Sequence, residues 1–143
     1  MDDTRIILVE GMPGTGKSTV SQFVHQHLQT RGYDSYWYHG EAATHPVRLF
    51  YQPKQHRSWF DYCESVVTCW ENFTLQLQER NQIAVLDAGI LQNHVRSMLI
   101  FDCNRNLMLD LVSRIEKQIT SLNPILIYLR PEKIEKNFSD VCD

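Results

Sequence analysis

A lysine that follows closely spaced glycines and precedes a hydroxyl residue is a combination suited to holding phosphate. Here the run is Gly11-Met12-Pro13-Gly14-Thr15-Gly16-Lys17-Ser18, which fits the pattern G-x-x-x-x-G-K-[ST]. Glycines 11, 14 and 16 let the backbone fold around an anion, so that N–H groups from Gly14 through Thr15, Gly16, Lys17 and Ser18 to Thr19 can point at phosphate oxygens. A helix starting at this point adds the positive end of its dipole. Lys17 is expected to reach the β- and γ-phosphates of ATP or a similar nucleotide, and the Ser18 hydroxyl to coordinate Mg²⁺. With glycine at roughly 7% of residues, the fixed positions arise by accident in about 0.5% of chains this long, so an ordinary glycine-rich turn is the weaker reading.

Two carboxylates accompany the loop. Asp87 ends the apolar run Ile83-Ala84-Val85-Leu86, and Glu41 follows Ser35-Tyr36-Trp37-Tyr38-His39-Gly40. A carboxylate at the C-terminal edge of a parallel strand is carried to the crevice where such sheets bind ligands. Phosphoryl transfer to a hydroxyl uses one carboxylate to orient or deprotonate the acceptor and commonly another to hold Mg²⁺. Asp87 is assigned mainly to Mg²⁺ and Glu41 mainly to the acceptor; a turn aspartate and a solvated loop charge are the structural alternatives. His39 and His45 flank Glu41, but a lone histidine near a strand end is more often a hydrogen-bonded structural group. Arg48 and Arg57 could bind an anionic acceptor, and Gln92, Asn93 and Arg96 follow Asp87 as further pocket candidates. Asn93 and Arg96 share a helix face at i, i+3 spacing.

The elements that must position these groups alternate along the chain. Ile6-Ile7-Leu8-Val9 reads as a strand covered on both faces. Val20, Phe23, Val24, His27 and Leu28 then recur at helical spacing until Gly32. After the second strand, Glu41 to Arg57 shows no period and carries Pro46 and Pro53, which predicts a long loop or broken helix. Ser58 looks like an N-cap for a long helix whose inner face is Trp59, Cys63, Val66, Trp70, Phe73 and Leu77. A third strand ends at Asp87, and a helix follows from Gly89 through Leu91, Val95, Met98 and Leu99. Another runs from Asn104 to Leu122 on Met108, Leu111, Ile115 and Ile119. Pro124 to Leu129 is a fourth strand, and Pro131 opens a last helix on Ile134, Phe138 and Val141. Strands alternating with helices argue a layered α/β sheet.

Composition narrows the classes. A 43% hydrophobic and 22% charged chain of 143 residues fits one globular domain spanning 1–143. The net charge of −3 gives no basis for gripping a nucleic-acid polymer. Cys63, Cys69, Cys103 and Cys142 form no metal-ligand spacing and read as reduced thiols. The acidic N-terminus and short apolar runs argue against a secretory signal or a membrane span, so a cytoplasmic protein is expected.

On these residues the loop resembles that of the nucleoside and nucleoside-monophosphate kinase group, which includes thymidylate kinase and deoxynucleoside kinases, where Gly-x-Pro-Gly-x-Gly-Lys is common. The resemblance implies a three-layer parallel-sheet P-loop NTPase fold. Gly40-Glu41 stands where these kinases carry an acidic acceptor contact. Asp87 is kept where they carry an Asp after the third strand, but Ala88 replaces the arginine that often follows it. Tyr128-Leu129-Arg130-Pro131-Glu132 is similar to their fourth strand and turn, after which an arginine-rich lid is expected. Gly40-Glu41 with His45-Pro46, and Leu91-Gln92-Asn93, are also similar to bacterial P-loop relatives of these kinases. Because the chain ends one helix after the fourth strand, the sheet is expected to be truncated there, without lid or last strand. The activity implied is that of an ATP-dependent kinase acting on a small-molecule phosphoryl acceptor: a nucleoside, a nucleotide or another hydroxyl-bearing compound. The alternatives are a nucleotide-binding regulatory ATPase or switch without an acceptor, and a catalytically incomplete fragment.

Overall fold

The computed structural model describes residues 3–132. Its centre is β1 (Ile6–Gly11), flanked by β3 (Ile83–Asp87) and β4 (Ile125–Leu129), with β2 (Ser35–Tyr38) outside β3. The order is β2-β3-β1-β4 and every pairing is parallel. This is the layered parallel sheet that the apolar runs predict. Register matters for the site: Val9 pairs with Asp87 and Gly11 with Leu129, so the ends of three strands reach one edge beside the loop.

Alternation along the strands splits the core unequally. Ile6, Leu8, Ala84 and Leu86 face a thick layer made by α2 (Trp59–Glu79) and α4 (Arg105–Ile119). Fully buried Trp70, Leu111 and Ile115 sit here, each worth about 1.5–3 kcal/mol or more in transfer from water. Ile7, Ile83 and Val85 face α1 (Lys17–Thr30) through Leu28 and Val24. Ser58 caps α2 as its position predicts, its Oγ accepting from the Asp61 N–H at 3.1 Å. Met108, Leu111, Ile115 and Ile119 are all buried, but the helix ends at Ile119 and a 3₁₀ turn, Thr120–Leu122, completes the predicted span.

Two expectations change. The inner stripe of α1 is Lys17, Ser21 and Leu28 with half-buried Val20 and Val24, while Phe23 and His27 are exposed and stack on each other. Lys17 must lie under the loop and Ser21 accepts from Trp37 Nε1 at 2.9 Å, and these polar anchors set the rotation of the helix. The segment after β3 is not one regular helix. It is a π-helix, Ile90–Val95, followed by α3 (Arg96–Ile100), and the wider π turn shifts the face so that Asn93, His94, Ser97 and Met98 are buried while Leu91 and Leu99 are exposed. β4 is an edge strand that leaves Leu126 and Tyr128 largely open. The predicted helix on Ile134, Phe138 and Val141 lies outside the described residues, as does Cys142. Cys63, Cys69 and Cys103 are free thiols.

Candidate active site

The loop between β1 and α1 shows why its glycines are needed. Gly14 and Gly16 have φ of 78° and 88°, values that favour glycine. At Gly11 a Cβ would lie 2.6 Å from the Leu129 carbonyl oxygen, so β4 and the loop can approach only because no side chain intervenes. At Gly16 a Cβ would meet nothing within 4 Å, which leaves the mouth of the loop open. Gly16 is also the N-cap of α1 and supplies no side-chain cap, so the first N–H groups of the helix stay available for an anion.

The Met12 carbonyl gathers the loop, accepting from Thr15 Oγ1 at 2.7 Å and from Lys17 Nζ at 2.9 Å. Lys17 is therefore folded back under the loop and buried. Burial lowers its pKa, and the carboxylates of Asp87 and Glu10 push it back up. Ser18 Oγ donates to Asp87 Oδ2 at 2.5 Å across 69 residues of sequence. The same oxygen accepts from the Gly40 N–H at 3.3 Å, and His39 Nε2 lies 4.0 Å away. A hydroxyl and a buried carboxylate side by side are hard oxygen donors of the kind Mg²⁺ uses with few protein ligands.

Gly14, Lys17, Ser18, Glu41, Asp87 and Gln92 line one cavity of about 480 Å³. The structure thus brings together the loop and both predicted carboxylates, with Glu41 exposed at the rim. Thr19 is exposed on the first turn of α1. Behind Glu41 the rest of the 41–57 segment packs directly on the turn and helix that follow Asp87. Buried His45 bonds the Ala88 carbonyl through Nε2 at 3.0 Å, Asn93 Nδ2 donates to the Val47 carbonyl, and the Tyr51 N–H donates to Ser97 Oγ at 2.7 Å. His45 is a clamp on the turn after Asp87, where Ala88 holds a φ of 66°. Burial lowers its pKa, in keeping with a neutral ring whose Nδ1 accepts from the Val47 N–H. Asn93 faces inward and Arg96 is exposed, so the π turn undoes their shared face. Arg48 donates to the Glu41 carbonyl, and Arg57 is exposed at the start of α2.

Glu10 is one of two buried residues whose role the sequence did not mark. It is 1% exposed at the end of β1, and its carboxylate accepts from the N–H groups of Leu91 at 3.1 Å and Gln92 at 3.4 Å. Burial raises its pKa while those backbone donors lower it. A charge within an apolar strand, one residue before the first loop glycine, was the available signal. His94 is the other. It is fully buried, with Nδ1 donating to the Leu49 carbonyl at 3.1 Å and Nε2 accepting from Trp70 Nε1 at 2.9 Å, and burial lowers its pKa to about 4.

Among the described residues no helix is long and apolar enough to cross a membrane. No curated protein matches the sequence. Solved structures show the same fold at low identity. The APS kinase of Mycobacterium tuberculosis in complex with AMPPNP and APS aligns with a TM-score of 0.57 and 13% identity, covering 97% of this chain and 69% of that one. The protein APE1195 aligns with a TM-score of 0.58 and 13% identity, covering 100% of this chain and 72% of that one. The fold is thus the α/β P-loop NTPase fold, as in that APS kinase. Residues 7–133 match the AAA domain family, and with that match spanning strand, loop and site the chain belongs to this family of P-loop nucleotide-binding proteins.

Proposed function

We propose that the protein is an ATP-dependent small-molecule kinase. The observation that carries this reading is the meeting of Ser18 Oγ and Asp87 Oδ2 beside a loop whose helix amides are uncapped. Main-chain N–H groups from Gly14 to Thr19 would hold the polyphosphate of ATP, with Lys17 moving from the Met12 carbonyl to its β- and γ-oxygens. Ser18 and Asp87 would hold Mg²⁺, which supplies neutralisation of charge on the phosphate oxygens when bound. Glu41, at the rim of the same cavity, would orient the acceptor hydroxyl and take its proton. The acceptor is a small molecule rather than a nucleic-acid polymer, in line with the net charge of −3, and the free thiols fit the cytoplasm.

The test is ADP release from the full chain with Mg-ATP, measured across nucleosides, nucleotides, sugars and aminoglycoside-type alcohols. Stimulation by one class is the expected result. A rate that no acceptor changes would favour a regulatory ATPase or an incomplete fragment over a kinase.

A further inference from the structure

Gln92 stands where two cavities meet. On one side is the polar cavity of the loop, and on the other, sharing Pro13 and Gln92 with it, is a groove of about 450 Å³. The groove is walled by Met12, Leu91, Val95, Leu99, Ile100 and Tyr128. Its apolar character follows from two features of the fold. The π turn rotates Leu91 and Leu99 outward, and the edge position of β4 leaves Tyr128 53% exposed. Leu99 and Ile100 are 62% and 63% exposed, an unusual clustering of open aliphatic surface beside a phosphate site.

Polar groups in the groove are few and placed at its ends. Arg96 is exposed on one wall. At the junction, Gln92 Oε1 is closed off from solvent and has no hydrogen-bond partner among the described residues. Its backbone is fixed, because Glu10 accepts from its N–H. Gln92 therefore walls the junction where the groove opens into the loop cavity.

We propose that this groove is the acceptor site, and that the acceptor is an anionic molecule with a flat apolar body and a single reacting hydroxyl. This rests on the kinase reading of the neighbouring cavity. The apolar body lies on Leu91, Leu99 and Tyr128, its anionic group pairs with Arg96, and its hydroxyl passes Gln92 into the loop cavity, where it donates to the Glu41 carboxylate. The hydroxyl oxygen then forms a bond to the γ-phosphorus as the bond to the β,γ-bridging oxygen breaks. That electron pair leaves on ADP and the hydroxyl proton goes to the Glu41 carboxylate. A polyol is disfavoured, because most of its hydroxyls would lose water and find no partner on these walls.

The full chain loaded with Mg-ADP is titrated with the anionic aromatic fluorophore anilinonaphthalene sulfonate, alongside Leu99→Glu, Arg96→Ala and Phe23→Glu. Phe23 is equally exposed but lies on α1, in the opposite layer. Leu99→Glu and Arg96→Ala are each expected to weaken the probe about tenfold, the loss of one apolar contact or one charge-assisted bond, with Phe23→Glu unchanged. In turnover, hydroxylated aromatic acids should stimulate ADP release more than polyols of equal size, and Leu99→Glu should raise their KM. Probe affinity unmoved by both groove variants overturns the proposal. Turnover with a polyol that neither variant affects overturns the groove while the kinase reading stands. Probe loss as expected without stimulation by any acceptor overturns the kinase reading, and the acceptor role of the groove with it.

Discussion

Gly40→Ala tests whether the approach of β2 to Asp87 builds the site. The added methyl would sit 2.8 Å from the Asp87 carbonyl oxygen and 3.3 Å from its carboxyl carbon. Relief of the first contact requires a shift of about 0.5 Å or more to reach a normal separation. The carbonyl belongs to β3, which is paired on both sides, so the end of β2 must lift instead. Lifting it draws the Gly40 N–H away from Asp87 Oδ2, the oxygen that Ser18 also uses. Overpacking of this kind costs about 1–3 kcal/mol, which for a chain this size lowers Tm by roughly 3–10 °C. The misaligned carboxylate should weaken Mg-nucleotide binding about 10- to 100-fold, with binding in the absence of Mg²⁺ little changed. Differential scanning fluorimetry and titration calorimetry with and without Mg²⁺ measure both. Gly32→Ala is the control: its φ of 82° makes alanine strained, but nothing lies within 4 Å of the added carbon, so it should cost stability alone. A Gly40→Ala protein with unchanged Tm and unchanged Mg-dependent affinity would refute the reasoning.

Lys17→Ala should weaken ATP binding by about 10- to 100-fold, the worth of its charge-assisted bonds, while the apo Tm moves little, because Thr15 still holds the Met12 carbonyl; equal ATP affinity by calorimetry would contradict the role. His94, with its pKa lowered to about 4 against about 6.5 unfolded, stabilises the fold fully above pH 6.5 and loses that contribution as pH falls toward 4, for a total of about 3 kcal/mol. Urea unfolding of wild type and His94→Asn between pH 7 and 5 should show their difference shrinking, and an NMR titration of His94 near its ordinary value would exclude it. Glu10 works in the opposite sense: its raised pKa means that its contribution grows as pH falls through the carboxylate range. Glu10→Gln keeps one acceptor oxygen but turns the other into a donor that faces either the Leu91 or the Gln92 amide, and should cost about 1–3 kcal/mol, read as faster hydrogen exchange in the π-helix.

The layered sheet was legible because buried parallel strands leave a local mark: consecutive apolar residues that end at a glycine or an acid. Ser58 was legible as a cap for a similar reason, since a helix end is satisfied by its own neighbours. What was not legible depended on partners far along the chain. Nothing near Ile90 signals a π turn; it is fixed by Glu10, 81 residues earlier, gripping the Leu91 amide. That one winding inverted the fates of Asn93 and Leu99. The rotation of α1 was hidden likewise, because Ser21 is buried only through Trp37 on the next strand. The packing behind Glu41 follows from His45 and Tyr51 finding partners near Ala88 and at Ser97, which no spacing within the 41–57 segment could reveal.

The resting position of Lys17 explains why two strand-end carboxylates can coexist with it. Its charge is supported by Asp87 and Glu10, yet its hydrogen bond goes to the neutral Met12 carbonyl. Had Nζ paired with Asp87, a phosphate would have to break an ion pair and the metal would compete with an ammonium for the same oxygen. Held on a carbonyl, the lysine is released for about the strength of one hydrogen bond to a charged group, roughly 1.5–3 kcal/mol, which a phosphate oxygen restores. Asp87 then stays committed to Ser18 and Gly40. Glu10, spent on the amides of Leu91 and Gln92, holds the π-helix against the loop without entering the cavity. The separation of duties follows from register: Asp87 pairs with Val9, one residue short of Glu10, and alternation sends adjacent side chains to opposite faces of the sheet.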